Sequence, residues 1–475
     1  MMDSLPTFQD RAKKALHDKD LQNAMNRAKG GFVGKRKEAV SQLPEFETLR
    51  DAARDIKDHT LSHLDKYLEM YENRVLENGG HVHWARTAKE ASTRVVEICQ
   101  RVRAKRVTKG KSMVSEEMNL NSDLEKSGIE VVETDLGEYI VQLASERPSH
   151  IIAPAVHKTR EQITELFHHH HKPLGYIDRV TERKAIVNEA RNILRERFVT
   201  ADVGITGANF LVAETGSSVI VTNEGNGDLT SSLPRVQIVT AGIEKLIPSL
   251  EDLSTMLRVL ARSATCQEMS AYTSLYSGPS KDENTEGPDE YHVILLDNGR
   301  SGMLGGDYQS MLRCIRCGAC LNHCPVYNAI GGHAYGWIYS GPMGSVLTPL
   351  MQGFDSNVDL PNACSLNGVC ETVCPVRIPL PDLLRQHRVE QHQRKSSSLA
   401  SRLIFEIWGY FVRRPRFYQL AVFMPLLVLN RIGRKRGFLK RLLFVHGWTK
   451  SRDFPSPETR TFQWQWQEKV RKNIE

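Results

Sequence analysis

The sequence has no apolar run of the roughly 20 residues needed to cross a membrane as a helix. Its best stretch, residues 418–429, is short and contains Gln419 and Pro425. Residues 1–20 mix charges with scattered apolar side chains and lack the apolar core of a secretory signal, so the expected location is the cytoplasm. No full phosphate-loop or dinucleotide fingerprint occurs, because Gly110, Lys111 and Ser112 lack the preceding glycine spacing. The net charge of +7 is not spread along the chain. Residues 385–450 carry fifteen Lys or Arg against Glu390 and Glu406, a local +13 that leaves −6 for the rest. A local basic segment on an otherwise acidic chain does not describe a nucleic-acid binder. Hydrophobic content of 40% and charged content of 25% fit globular domains, and 475 residues allow two or three of them.

Cysteine is scarce, with nine in the chain, yet seven fall between positions 314 and 374. Cys314, Cys317, Cys320 and Cys324-Pro325 form a C-x2-C-x2-C-x3-C-P run, the ferredoxin signature in which the fourth thiolate reaches a second cluster. Cys364, Cys370 and Cys374-Pro375 form the later run. Crossed connectivity would place Cys314, Cys317, Cys320 and Cys374 on one [4Fe–4S] cluster and Cys324, Cys364 and Cys370 on the second. A full repeat would have cysteine at position 367, where this chain has Asn367. The spacing resembles the second run of succinate dehydrogenase iron–sulfur subunits, where a non-cysteine there accompanies a [3Fe–4S] centre. The second site is therefore three-iron, or [4Fe–4S] with one iron bound by Asn367, water or nothing. A zinc site would use sets of four ligands at wider paired spacing. A disulfide framework belongs to oxidising compartments and small secreted domains.

Ahead of the cysteines, residues 1–60 read as a polar helical arm packing on the next domain or a partner. Residues 61–296 alternate helix and strand, the pattern of a mostly parallel sheet covered on both faces. A helix is expected over 91–107, strands over 128–134, 150–154, 218–222 and 236–240, and helices from about 158 and over 248–260 with Pro248 in the first turn. Asp135 marks another helix start. Polar loops at 109–113, 206–209, 214–217 and 223–227 sit where ligands bind in such sheets, although their glycines could equally serve tight turns. Residues 277–290 read as a linker between domains.

The segments at 111–117, 128–140 and 201–209 resemble the lactate-utilisation (LUD) domain. With the cysteine runs behind them, residues from about 60 onward resemble the lactate-utilisation iron–sulfur protein B family. That resemblance implies an α/β fold, with a sheet of the glucosamine-6-phosphate deaminase type followed by a helical two-cluster ferredoxin-type domain at 297–395. It also implies a place in a three-component system that oxidises L-lactate to pyruvate, with a Cys-Cys-Gly-motif protein and a second LUD-domain protein as partners. Quinone is the expected downstream acceptor. No catalytic residue for lactate itself is evident in the chain. A rival reading makes the LUD-like domain a catalyst acting on a small anionic metabolite, with clusters that regulate or merely staple the fold.

Several further features carry expectations. His168 to His171 and the pair His81 and His83 read as solvated surface, because neighbouring histidines on a helix diverge. Cys99 reads as a core thiol and Cys266 as structural. Small residues at 331–337 and 339–344 would let backbone approach the clusters, and Arg313, Arg316 and Arg377 flank the ligands. Residues 396–475 are basic and aromatic, with Trp408, Tyr410, Phe411, Phe417, Tyr418, Phe423, Phe444 and Trp448. Such a segment can lie on the inner face of a membrane as a peripheral contact, or bury its apolar side against a partner. Phe462, Trp464 and Trp466 alternate with Gln as a docking strand would.

Overall fold

A computed structural model describes residues 6–281, 287–397, 399–442, 449 and 452–472. The chain forms two compact units, Met1–Val389 and Glu390–Glu475. At the centre of the first is a six-stranded sheet. Its strands are β1 (His81–Ala85), β2 (Arg106–Lys109), β3 (Glu130–Glu133), β4 (Val203–Gly207), β7 (Val236–Gly242) and β10 (Glu290–Leu296), in the order β1-β10-β7-β4-β2-β3. Every pairing in it is parallel. A smaller sheet, ordered β8-β5-β6-β9, contains β5 (Phe210–Val212), β6 (Ser217–Thr222), β8 (Leu246–Ile247) and β9 (Tyr272–Tyr276).

The β-branched central strands explain the layering. Side chains alternate across a strand, so Ile238, Ile294 and Leu296 face one core with Val95 and Ile98. Val239, Val293 and Leu295 face the other, with Leu68, Tyr71 and Val75. Every residue of β7 is buried, as a parallel strand covered on both faces requires. Gly204 on β4 lets a helix approach closely; a Cβ there would lie 1.8 Å from the Thr230 carbonyl oxygen.

Most expected elements of the first unit are present, with four corrections. The helix expected over 91–107 is Ala88–Arg101, and its last residues are β2. Residues 150–154 are not a strand; the His150 ring accepts the backbone N–H groups of Ile152 (3.0 Å) and Ala153 (3.1 Å) and folds the chain into a loop. Helix Leu250–Ala264 is capped by Ser249, which accepts from the Asp252 N–H, so Pro248 lies before the helix rather than in its first turn. Residues 277–290 fall between β9 of the smaller sheet and β10 of the larger, both inside the first compact unit, so they do not separate domains.

The N-terminal helices Phe8–His17, Lys19–Ser41 and Phe46–Ser62 pack onto the cysteine-bearing segment. That segment is short helices and turns: Ala319–Asn322, Pro325–Ile330, Gly341–Gln352, Asp359–Asn362 and Val369–Thr372. The second unit holds helices Leu399–Val412 and Pro415–Gly433 and a two-residue antiparallel pairing of Phe438–Leu439 with Phe454–Pro455. Phe462, Trp464 and Trp466 lie on a helix, Phe462–Lys472, not a strand. Phe462 and Trp466 stack at 5.9 Å, one helical turn apart. Phe444 and Trp448 lie outside the described residues. No described helix is long and apolar enough to cross a membrane.

Candidate functional site

The two cysteine runs fold alike. Arg316 and Gly318 take positive φ (59° and 73°) between Cys314 and Cys320, and Leu366 and Gly368 repeat this (54° and 81°) between Cys364 and Cys370. A four-residue helix follows each Gly, then Cys324-Pro325 or Cys374-Pro375. In this repeat Asn367 takes the place of Cys317. Cys317 is buried, whereas Asn367 is exposed, its side chain accepting the Val369 N–H at 3.4 Å.

The two runs meet in space. Cys314, Cys317, Cys320 and Cys374 line one small cavity, closed by Ile151, Arg316 and Met343. Burial pushes the Cys317 thiol up to about 12, with Cys374 and Cys314 as its thiol neighbours. On the other side, burial and then the neighbouring Cys364 and Cys324 push Cys370 up to about 12. Thiols this resistant to ionisation, grouped away from water, suit a bound cationic centre that takes them as thiolates. Backbone N–H groups already point at sulfur: Leu366 to Cys364 (3.3 Å), Ile378 to Cys374 (3.4 Å) and Tyr327 to Cys324 (3.5 Å).

Arginines from the N-terminal helices hold the second run, a role not evident from sequence. Arg50 donates to the Cys374 carbonyl through Nε (2.9 Å) and Nη2 (2.7 Å), and Arg36 donates to the Val373 carbonyl (2.8 Å). Of the flanking arginines noted in the sequence, Arg313 pairs with Asp58 (2.5 Å) and Arg377 with Asp51 (3.0 Å) and Glu47 (2.9 Å). These two are structural ion pairs. Arg316 is different: its side chain is mostly covered, stacks over Tyr339 at 4.7 Å and reaches Glu244 at 3.3 Å.

Between the sheet and the cysteines lies a buried charge network. Arg300, 1% exposed, bonds Glu117 with both terminal nitrogens (2.9 Å each) and Glu244 through Nε (2.6 Å). Burial alone would raise the Glu244 carboxyl, but Arg300 and Arg316 hold it at about 2. Tyr339 donates to Glu117 at 2.8 Å, and Lys57 donates to the Glu244 and Leu246 carbonyls.

A cavity of about 560 Å³ opens at the C-terminal ends of β2, β4 and β7. Three of the four polar loops meet there, contributing Gly110 to Met113, Thr206 to Asn209, and Asn223, Glu224, Asn226 and Gly227. The fourth does not. Gly216 (φ +67°) makes the β5–β6 turn, and a Cβ there would lie 2.7 Å from the Val75 nitrogen. Ile151 and Arg316 line both this cavity and the cysteine cavity, so the two share a wall.

The histidines divide. His169 and His170 are exposed, but His171 is in the core, bonded to Glu189 (2.6 Å) and the Tyr139 hydroxyl (2.9 Å). His83 meets His292 at 3.1 Å, and burial, then His292, lowers it to about 4. Cys99 is a core thiol, and Cys266 donates to the Phe32 carbonyl at 3.4 Å. Glu146, His157 and His333 also draw together, but Lys158 already pairs with Glu146.

A parallel α/β domain leading into two interlocked ferredoxin-type cysteine runs defines an iron–sulfur protein with a LUD domain. The LUD domain family matches residues 68–296 and the 4Fe-4S dicluster domain family residues 310–378. The chain is 42% identical over 465 residues to lactate utilization protein B of Bacillus cereus, covering 96% of each. It is 41% identical over 458 residues to lactate utilization protein B of Lysinibacillus sphaericus (96% and 95%), and 41% over 476 residues to that of Bacillus licheniformis (98% and 97%). This chain belongs to the lactate utilization protein B family. A crystal structure of a DUF162 family protein from Deinococcus radiodurans matches at 13% identity, 49% of this chain and 98% of that one, with a TM-score of 0.28, too low to carry an argument.

Proposed function

We propose that the chain is the electron-transfer component of a multi-protein system that oxidises L-lactate to pyruvate. The supporting observation is the separation of seven thiols into two adjoining groups within interlocked runs, in a chain whose relatives are named for lactate utilization. In this reading Cys314, Cys317, Cys320 and Cys374 hold a [4Fe–4S] cluster, and Cys324, Cys364 and Cys370 hold the second, [4Fe–4S] or [3Fe–4S]. Bound there, the pair of clusters supplies one-electron transfer over a short distance. The chain's own contribution is to exclude water from the first group, aim N–H groups at sulfur and clamp the second run through Arg36 and Arg50. The exposed Asn367 is the natural boundary of a centre with one iron not bound by thiolate. Lactate gives up two electrons and two protons in becoming pyruvate. A Cys-Cys-Gly-motif protein and a second LUD-domain protein would share that chemistry, with quinone downstream.

The test is anaerobic purification with iron and sulfide analysis and low-temperature EPR, followed by addition of lactate and the partner proteins. The clusters should be reduced within the turnover time, and Cys317→Ser should abolish turnover and lower bound iron by about half, one of the two clusters being lost. Clusters that stay oxidised while pyruvate forms would sink the relay. Colourless, zinc-loaded protein would sink the clusters altogether. The rival, a LUD domain acting on a small anionic metabolite, draws its support from the cavity.

A further inference from the structure

The charges around the shared wall do not balance. Arg300, Lys57 and Lys245 are buried, the Arg316 side chain is 9% exposed, and the carboxylates beside them are those of Glu117 and Glu244. Arg300 and Lys57 spend their donors on protein oxygens. Arg316 does so through Nη2 alone, to Glu244 at 3.3 Å, and Lys245 does not. Arg316, whose side chain is 9% exposed, leaves Nη1 buried with no hydrogen-bond partner. The Lys245 side chain, on a residue 6% exposed, makes no hydrogen bond or ion pair among the described residues. Both residues line the 560 Å³ cavity, and Lys57 does not. An unpaired buried donor is costly, so Arg316 Nη1, with the Lys245 ammonium on the same cavity wall, calls for an anion.

Size narrows the class of ligand. Lactate, with six heavy atoms, is much smaller than the drug-sized ligands that clefts of about 300–1,000 Å³ enclose. At about 560 Å³ the cavity falls in that range. Its wall is mixed: Ile151, Ile152 and Leu260 offer apolar surface. Glu224 and Asp135 stand elsewhere on it, able to accept from hydroxyls.

We propose that the LUD cavity binds an organic anion of mononucleotide size, with its phosphate or carboxylate group on Arg316 and Lys245, against the wall of the first cysteine group. Occupation there would place the ligand's charge next to that group. The inference concerns binding alone, so it stands or falls separately from lactate oxidation.

The experiment uses full-length, anaerobically prepared protein and equilibrium dialysis against FMN, AMP, pyruvate and lactate, each alone. The expected result is saturable binding of FMN or AMP, weakened about tenfold or more by Lys245→Met, with iron and sulfide content unchanged. Arg316→Gln should act in the same direction, and Arg316→Lys should restore part of the affinity. FMN binding without AMP binding would assign a redox cofactor, and binding of both would assign a general phosphate site. The proposal is overturned if neither mononucleotide binds at millimolar concentration, or if pyruvate or lactate binds instead. It is equally overturned if Lys245→Met shifts the cluster potential yet leaves mononucleotide binding intact, since these cations would then serve only to offset cluster charge.

Discussion

Arg300 joins parts of the chain that are far apart in sequence, because Glu117 follows β2, Glu244 follows β7 and Arg300 follows β10. Replacing it with Met would leave the buried Glu117 carboxylate without its cation and Glu244 with Arg316 alone. Loss of one partner from a buried ion network typically costs about 3–5 kcal/mol. Arg300→Met should therefore lower the urea midpoint by that equivalent, and a change below ~1 kcal/mol would mean water compensates the carboxylates. His150 gives a pH prediction. Its Nδ1 accepts two backbone N–H groups, and its Nε2–H donates to Asn322 Oδ1 at 3.0 Å, which holds the ring neutral. Burial lowers it from 6.5 to about 4. The unfolded chain thus binds the proton first as pH falls, so this contribution is intact above about pH 6.5 and is lost between 6.5 and 4. At 1.36 kcal/mol per pH unit it amounts to roughly 3 kcal/mol. His150→Gln should flatten the acid limb of the stability profile over that window relative to the parent, and parallel profiles would refute the assignment.

At the scale of elements, the N-terminal helices act as a clamp. Arg11 donates to the Ala334 carbonyl (2.9 Å), Gln22 to that of Ala329 (2.7 Å), and Arg36 and Arg50 to the second run. Charged donors to buried carbonyls contribute about 1.5–3 kcal/mol each. An Arg36→Met/Arg50→Met double variant should keep the parent's far-ultraviolet spectrum and lose iron to a chelator several times faster. Equal release rates would show that the cysteine loops hold their shape unaided. These helices were legible in the sequence as a polar arm, and their target was not, because a helix face does not name the surface it meets. Residues 150–154 misled for a different reason: Ile151 and Ile152 look like strand residues, but the His150 side chain competes for the local N–H groups.

Across the whole molecule, the second unit has an unusual surface. Leu403, Ile404, Phe405, Trp408, Phe417, Leu420, Phe423 and Val428 are all exposed on helices that carry Arg402, Arg416 and Arg431, with Arg413 and Arg414 in the turn between them. Apolar exposure with basic neighbours suits a peripheral contact with an anionic bilayer. The full chain should sediment with phosphatidylglycerol vesicles and be released by salt, and recovery in the supernatant at low salt would refute the contact. Cluster chemistry could be read from the sequence because Cys314, Cys317 and Cys320 are neighbours whose spacing sets their geometry locally. The parallel sheet was readable for a similar reason, since each strand's burial is written in its own β-branched residues. The cation pair Arg316 and Lys245, the Glu117–Arg300–Glu244 network and the wall between cavity and cysteines belong to the tertiary structure. Their partners lie far apart in sequence, and only chain topology brings such charges within range, where low dielectric makes each pairing, or its absence, count.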